Sequence, residues 1–229
     1  MRADPGRNTW IVIAAYNEAR VIARTVADVR RYDVPLVLVD DGSADLTAEI
    51  AETAGAVVVR HPVNLGQGAA LQTGIEFALQ QGAEVIVTFD ADGQHRAADI
   101  VSLVDALAEH DADFALGSRF LGRAVHLPPT RRLLLKAATI FTRMTSGLAL
   151  TDTHNGLRAM TRRGASAIRL RQNRMAHASE FLNQIAASGL KYVEVPVTIE
   201  YSAYSLAKGQ KLGDALSILV DLLARRLHL

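Results

Sequence analysis

Val85-Ile86-Val87-Thr88-Phe89-Asp90-Ala91-Asp92-Gly93-Gln94-His95 is the stretch whose reading decides the fold. Five apolar or β-favouring residues run directly into two carboxylates spaced i, i+2. Such a run reads as a strand buried on both faces of a parallel sheet. Gly93 then lets the backbone turn. Carboxylates at the carboxyl end of such a strand stand where open α/β sheets bind ligands. Two close carboxylates repel unless a cation lies between them. Mg²⁺ takes oxygen ligands, usually one or two carboxylates completed by substrate phosphates. An Asp-x-Asp pair also occurs in plain solvated turns, so the flanking chain has to decide.

Working outward, the same rhythm repeats. Trp10 to Ala15 reads as a first buried strand, followed by Tyr16-Asn17-Glu18. Asn17 is expected to cap a helix running to about Arg31, with Glu18 in its first turn. Leu36 to Val39 reads as a second strand, ending in Asp40-Asp41-Gly42-Ser43. Asp45 or Ser43 can cap the helix that follows, about Leu46 to Ala54, and Gly55 closes it. Ala56 to Val59 is a third strand. A glycine-bearing loop, His61 to Gly68, leads into a helix from Ala69 to Gln81. A helix over Ala97 to His110 and a strand over Phe114 to Gly117 complete the pattern. Strands alternating with helices predict a doubly wound, mostly parallel α/β sheet with helices on both faces. Right-handed crossovers place the strand carboxyl ends on one edge. Tyr16-Asn17-Glu18, Asp40-Asp41 and Asp90-Ala91-Asp92 therefore converge on one crevice.

After Ser118 the rhythm breaks. A loop over Arg123 to Pro129 leads into a long segment from Arg131 to Ala149, basic at its start and apolar in its body. Thr151 to Arg158 is dense in polar groups. Met175 to Ala187 reads as a helix carrying Glu180. Tyr192 to Val197 reads as a strand whose Pro196 suits an edge. Tyr201 to Lys211 reads as a polar loop, and Asp214 to Leu229 as an amphipathic helix with Arg225 and Arg226 near its end. The 229 residues are read as one domain in two halves, 1–118 and 119–229.

Composition sets limits. Hydrophobic residues make up 49% of the chain, enough for a sizeable core, and the net charge is +1. That balance does not point to nucleic acid as a partner. There is no cysteine, so disulfides and thiolate metal sites are excluded. No run reaches the roughly 18 uninterrupted apolar residues of a membrane-spanning helix. The expected place is the cytoplasm, free or peripheral on the inner face of the cell membrane.

These segments, in order, resemble the inverting family 2 glycosyltransferases of GT-A fold over nearly the whole chain. The residues carrying the likeness are Ala15-Tyr16-Asn17-Glu18, Val39-Asp40-Asp41-Gly42-Ser43, Asn64-Leu65-Gly66-Gln67-Gly68 and Asp90-Ala91-Asp92-Gly93-Gln94. Gly117-Ser118-Arg119, and Asp152 with Gly156-Leu157-Arg158, extend it. Within the family, the chain looks most like the polyprenyl-phosphate glycosyltransferases of the dolichyl-phosphate mannosyltransferase type. It departs from them at Leu157, where an aromatic is usual, and in the loop from Tyr201 to Lys211.

The resemblance implies a nucleotide-sugar site made by Ala15, Tyr16, Glu18, Asp40, Asp41, Asn64, Gly68, Asp90, Ala91 and Asp92. It implies a divalent cation, Mg²⁺ or Mn²⁺, on Asp90, Asp92 and Gln94, which an extended segment would turn to one side. Asp40 is placed to accept from a base N–H. Asp41 is placed to reach the ribose or to orient its loop. Asp152 is the first candidate for the acceptor-side acid and Glu180 the second. A lipid phosphate, already ionised, needs neither. Arg119, Arg158, Lys208 and Lys211 suit phosphate oxygens. His95 is expected to stand behind the metal motif as a supporting group. The implied partners are a UDP- or GDP-linked sugar and a polyprenyl phosphate or other lipid-linked acceptor. A membrane surface, a small membrane subunit and a homodimer are further partners to test. A soluble or saccharide acceptor is the main alternative. A sugar nucleotidyltransferase is a weaker one, because Tyr16-Asn17-Glu18 stands where its glycine-rich basic loop would be.

Overall fold

The computed structural model describes residues 8–172 and 176–208. The chain begins β1 (Thr9–Ala15), α1 (Ile22–Arg30), β2 (Leu36–Asp40), α2 (Thr47–Thr53) and β3 (Val57–Arg60). It continues α3 (Gln67–Gln80), β4 (Val85–Asp90), α4 (Ala98–Glu109) and β5 (Phe114–Val125). Then come α5 (Pro129–Ser146), β6 (Arg158–Thr161), α6 (Arg162–Ala167), α7 (Ala176–Ser188), β7 (Tyr192–Glu200) and α8 (Ala203–Lys208). Seven strands form one sheet in the order β3-β2-β1-β4-β6-β5-β7. All pairings are parallel except those of β6, which runs antiparallel to β4 and β5.

Alternation along the strands sorts the core onto two faces. Ile11, Ile13, Leu36, Leu38, Val87 and Phe89 pack with Ile22 and Val26 of α1 and Ile100 and Leu103 of α4. Val12, Val37 and Ile86 face the other way, onto Ile75 of α3 and Phe181 and Ile185 of α7. Helix α3 lies tight on the sheet because Gly74 has no side chain. A Cβ there would stand 2.4 Å from Val12 Cγ1.

The chain moves outward from β1 to β2 and β3, then returns to place β4 on the other side of β1. That reversal is a topological switch point, and ligands of open α/β sheets bind in the crevice it leaves. Ala14 pairs with Asp90 across it.

Several sequence expectations need correction. Asn17 does not cap α1, which starts only at Ile22 without a side-chain cap. Asn17 sits at φ 53°, and its side chain accepts from Ala44 N–H instead, tying the β1 loop to the β2 loop. Helix α2 likewise starts at Thr47 without a side-chain cap at Leu46, although Asp45 accepts from Thr47 N–H at 3.0 Å. Strand β5 runs on to Val125, with a register shift between Ser118 and Arg123. The segment after Asp90 is turned, not extended, with Gly93 at φ +73°. Strand β6 and helix α6 were not anticipated. Part of the expected loop from Tyr201 is helix α8. The expected helix over 214–229 lies outside the described residues. Among the described residues, no helix is long and apolar enough to cross a membrane.

Candidate active site

A cavity of about 530 Å³ opens at the switch point. The carboxyl ends of β1 and β4 supply Ala14, Ala15, Asp90 and Ala91 to its wall, and the loops beyond supply Tyr16, Glu18, Asp92 and Gln94. Asp41 and Asn64 enter from the β2 and β3 ends, Arg119 from β5 and Gly156 from the turn before β6.

Asp90 and Asp92 are held differently. Asp90 Oδ2 lies 2.8 Å from His95 Nε2, and Gln67 Nε2 approaches Oδ1 at 3.4 Å. Burial works to raise the Asp90 pKa, but the bond and charge of His95, with Arg158 and His177 behind, hold it below the ordinary value. Among the described residues, Asp92 accepts only from Gln94 N–H, at 3.1 Å. Burial, then the neighbouring Asp90 charge, pushes its pKa up to about 6. A pair of half-buried carboxylates in this condition is a fit for a divalent cation, whose charge relieves both causes. Among the described residues no cluster of three or more His, Cys, Asp or Glu could hold a metal. The donor set therefore suits a cation completed by Gln94 and ligand phosphates, not an all-protein cage.

The other anticipated donor-side residues divide. Glu18 is in the wall, buried, with Oε2 accepting from Tyr204 Oη at 2.8 Å. Burial, then Glu18, pushes the Tyr204 pKa up to about 12. Asp41 lines the cavity, but its oxygens take His61 Nδ1, Leu65 N–H and Gly66 N–H at 2.8–3.0 Å. It orients the loop carrying Asn64. Asp40 is buried at the end of β2 and is not in the wall. Gly68 is inside α3, where a Cβ would meet Gln172 O at 2.3 Å.

The acceptor-side candidates change character. Asp152 is not in the wall. Its Oδ2 accepts from Arg119 Nε at 2.6 Å and from Arg119 N–H at 3.0 Å, and its Oδ1 from His154 N–H at 3.2 Å. Arg119 also donates to Tyr201 Oη and to His154 O. Glu180 Oε2 accepts from Arg171 and Gln172 N–H, outside the cavity. Arg158 lies behind Asp90, with its guanidinium 4.4 Å from the Phe181 ring centre and Nε donating to Asn155 O. Burial lowers its pKa to about 10. It does not face the cavity. Lys208 ends α8, and Lys211 lies outside the described residues.

Four polar wall residues stand outside the expected site: Gln67, Arg131, His154 and Ser205. Arg131, in the first turn of α5, stands over the Tyr201 ring at 5.3 Å. Its only signal was the basic pair at the head of an apolar segment. His154 is buried, which lowers its pKa to about 4 against the opposing pull of Asp152. It is neutral at physiological pH.

Residues 10–169 match the family described as Glycosyl transferase family 2, well over half the chain. The polyprenol monophosphomannose synthase of Mycolicibacterium smegmatis is 30% identical over 217 residues, covering 89% of this chain and 82% of that one. A UDP-N-acetylglucosamine–dolichyl-phosphate N-acetylglucosaminyltransferase of Methanococcus voltae is 29% identical over 222 residues, covering 87% and 88%. Among solved structures, glucosyl-3-phosphoglycerate synthase from Mycobacterium tuberculosis, in complex with Mn²⁺, UDP-glucose and phosphoglyceric acid, superposes with a TM-score of 0.70. It is 20% identical and covers 96% of this chain and 80% of its own. That likeness concerns the fold.

Proposed function

Because the chain belongs to glycosyl transferase family 2, we propose that it moves a sugar from a UDP- or GDP-linked donor to a polyprenyl phosphate, with inversion and with the help of a divalent cation. One observation carries this reading. A single cavity joins a carboxylate pair, Asp90 and Asp92, to two arginines, Arg119 and Arg131, and to an apolar wall of Leu134 and Leu135 from α5. The first pair suits the diphosphate of a donor. The arginines beside leucines suit a phosphate that carries a hydrocarbon chain.

Asp90, Asp92 and Gln94 would hold Mg²⁺ or Mn²⁺, which supplies charge neutralisation for the departing diphosphate. Glu18, Tyr16 and Asn64 line the donor side. Asp152 orients Arg119 and is not the base. Among the described residues, every carboxylate in the wall is already engaged: Glu18 by Tyr204, Asp41 by its loop, Asp90 and Asp92 by the cation site. An acceptor that arrives as an anion needs no base. With no carboxylate spare to act as a nucleophile either, one direct displacement is the supported course, and one displacement inverts the sugar carbon. The related proteins named for polyprenol and dolichyl phosphate support the acceptor class.

The test uses labelled UDP- and GDP-sugars with Mn²⁺ and a short-chain polyprenyl phosphate, and reads label in the organic phase. Label passing only to a saccharide or other water-soluble acceptor would establish the alternative acceptor.

A further inference from the structure

We propose that His95 is the positioning residue for the Asp90 carboxylate, and that with Gly156 it sets that carboxylate in one pose before any cation arrives. This rests on the metal reading given above. Asp90 presents its carboxylate to the cavity, with 31% of the side chain exposed, while the His95 side chain behind it is 3% exposed. His95 Nε2 donates to Asp90 Oδ2 at 2.8 Å. On another side the carboxylate rests on bare backbone: a Cβ at Gly156 would stand 2.3 Å from each of its oxygens. That backbone is itself pinned, since Gly156 O accepts from Thr88 Oγ1 at 2.7 Å.

The His95 ring is fixed in turn. Phe89 meets it edge-on, with centroids 5.3 Å apart. Its backbone bridges Ile199 of β7, and Gln94 O accepts from Glu200 N–H at 2.9 Å. Strand β7 thus holds the segment that holds Asp90.

A buried histidine is often a satisfied core residue, and this one is not satisfied. His95 Nδ1 is buried without a hydrogen-bond partner among the described residues. An orphaned buried nitrogen costs folding free energy, and an apolar ring would avoid that cost. Among the described residues, the one polar partner the ring has is Asp90. Groups of this kind, bonded to a metal ligand from behind, set its orientation, and losing them weakens metal affinity 10- to 100-fold. Asp92, without such a support, is the ligand free to adjust.

The experiment measures Mn²⁺ binding by the electron paramagnetic resonance signal of free Mn²⁺, alone and with UDP or GDP, beside the thermal stability of the metal-free protein. His95→Phe keeps the ring volume and removes the donor. Its Kd for Mn²⁺ should rise at least 10-fold, with a cooperative metal-free melting transition showing that the fold is kept. His95→Gln, which restores an N–H, should recover most of the affinity. Asp90→Ala should abolish binding. Should His95→Phe not fold, His95→Asn carries the same test, its amide being too short to reach. Wild-type affinity in the variant without the donor overturns the positioning role and leaves the metal site standing. A wild-type protein that binds no Mn²⁺ under any of these conditions overturns both.

Discussion

Arg119 Nε donates to Asp152 Oδ2 at 2.6 Å, with both side chains at least 94% enclosed by protein. Burial works against the Arg119 charge, and Asp152 with Tyr201 more than offsets it, holding its pKa above the ordinary value. Removing one member of a buried pair leaves the other charge uncompensated, at a cost of about 3–5 kcal/mol. Asp152→Asn should therefore lower the urea midpoint markedly and reduce activity together with it. An unchanged midpoint with a fall in kcat alone would return Asp152 to the role of base.

Asp92 gives a pH dependence of definite sign. Its carboxyl titrates near pH 6 in the fold, against an ordinary value of 3.8. Between those values the unfolded chain has released the proton and the native protein has not. Native stability from this group is therefore lost as the pH rises through that window. The loss is on the order of 2–3 kcal/mol when metal is absent. Asp92→Asn should be inactive, yet melt higher than wild type at pH 7–8 in a chelating buffer. At pH 4 the two should converge. Equal melting temperatures at neutral pH would show that Asp92 is not under the strain described.

Tyr204 Oη donates to Glu18 Oε2 at 2.8 Å, joining α8 to Glu18 in the cavity wall. A nucleotide that takes the same Glu18 oxygen competes with that bond. Such a bond contributes about 1 kcal/mol net. Tyr204→Phe should bind UDP or GDP roughly 3- to 10-fold more tightly by calorimetry. Weaker binding would instead make Tyr204 a direct nucleotide contact.

The carboxylate edge of the cavity was legible because it follows rules of short range. An apolar run ending in Asp90 and Asp92 has few structures open to it, and the strand–helix rhythm then puts it beside Ala15 at the switch point. The part of the cavity built after Ser118 was not legible for the opposite reason. Strand β6 is four residues long, starts at a buried arginine and owes its place to both neighbours, not to its own pattern. Arg158 read as a phosphate ligand because its charge is local information, whereas its stacking on Phe181 is not. Asp152 read as a base for the same reason: its partner Arg119 lies 33 positions away. Arg131 was hidden because nothing in a helix sequence says which of two adjacent arginines turns inward.

Helix α5 makes the last prediction. Its inward side gives Leu134 and Leu135 to the cavity wall. Leu133, Ile140 and Met144 stand on the outside, 72%, 60% and 73% exposed, with Leu121 of β5 at 50%. Spaced i, i+7 and i+11, the three helix residues form one stripe. The exposed Arg132, Lys136 and Arg143 belong to the same helix. A basic amphipathic helix of this kind lies in the headgroup plane and binds anionic lipid. So placed, it would bring the cavity to a lipid surface, where the proposed polyprenyl-phosphate acceptor would be met. At low salt the protein should co-sediment with phosphatidylglycerol vesicles. Leu133→Asp with Ile140→Asp should abolish that binding. Arg132→Glu with Lys136→Glu should weaken it and flatten its dependence on salt, since screening acts on exposed charge. Arg131 is left intact in both variants because it faces the cavity. Exposed changes of this type cost under about 0.5 kcal/mol, so unfolding curves should match wild type. If wild-type protein stays in the supernatant with anionic vesicles at low ionic strength, the stripe is not a lipid contact. A second copy of the chain or a membrane subunit is then the surface to seek against it.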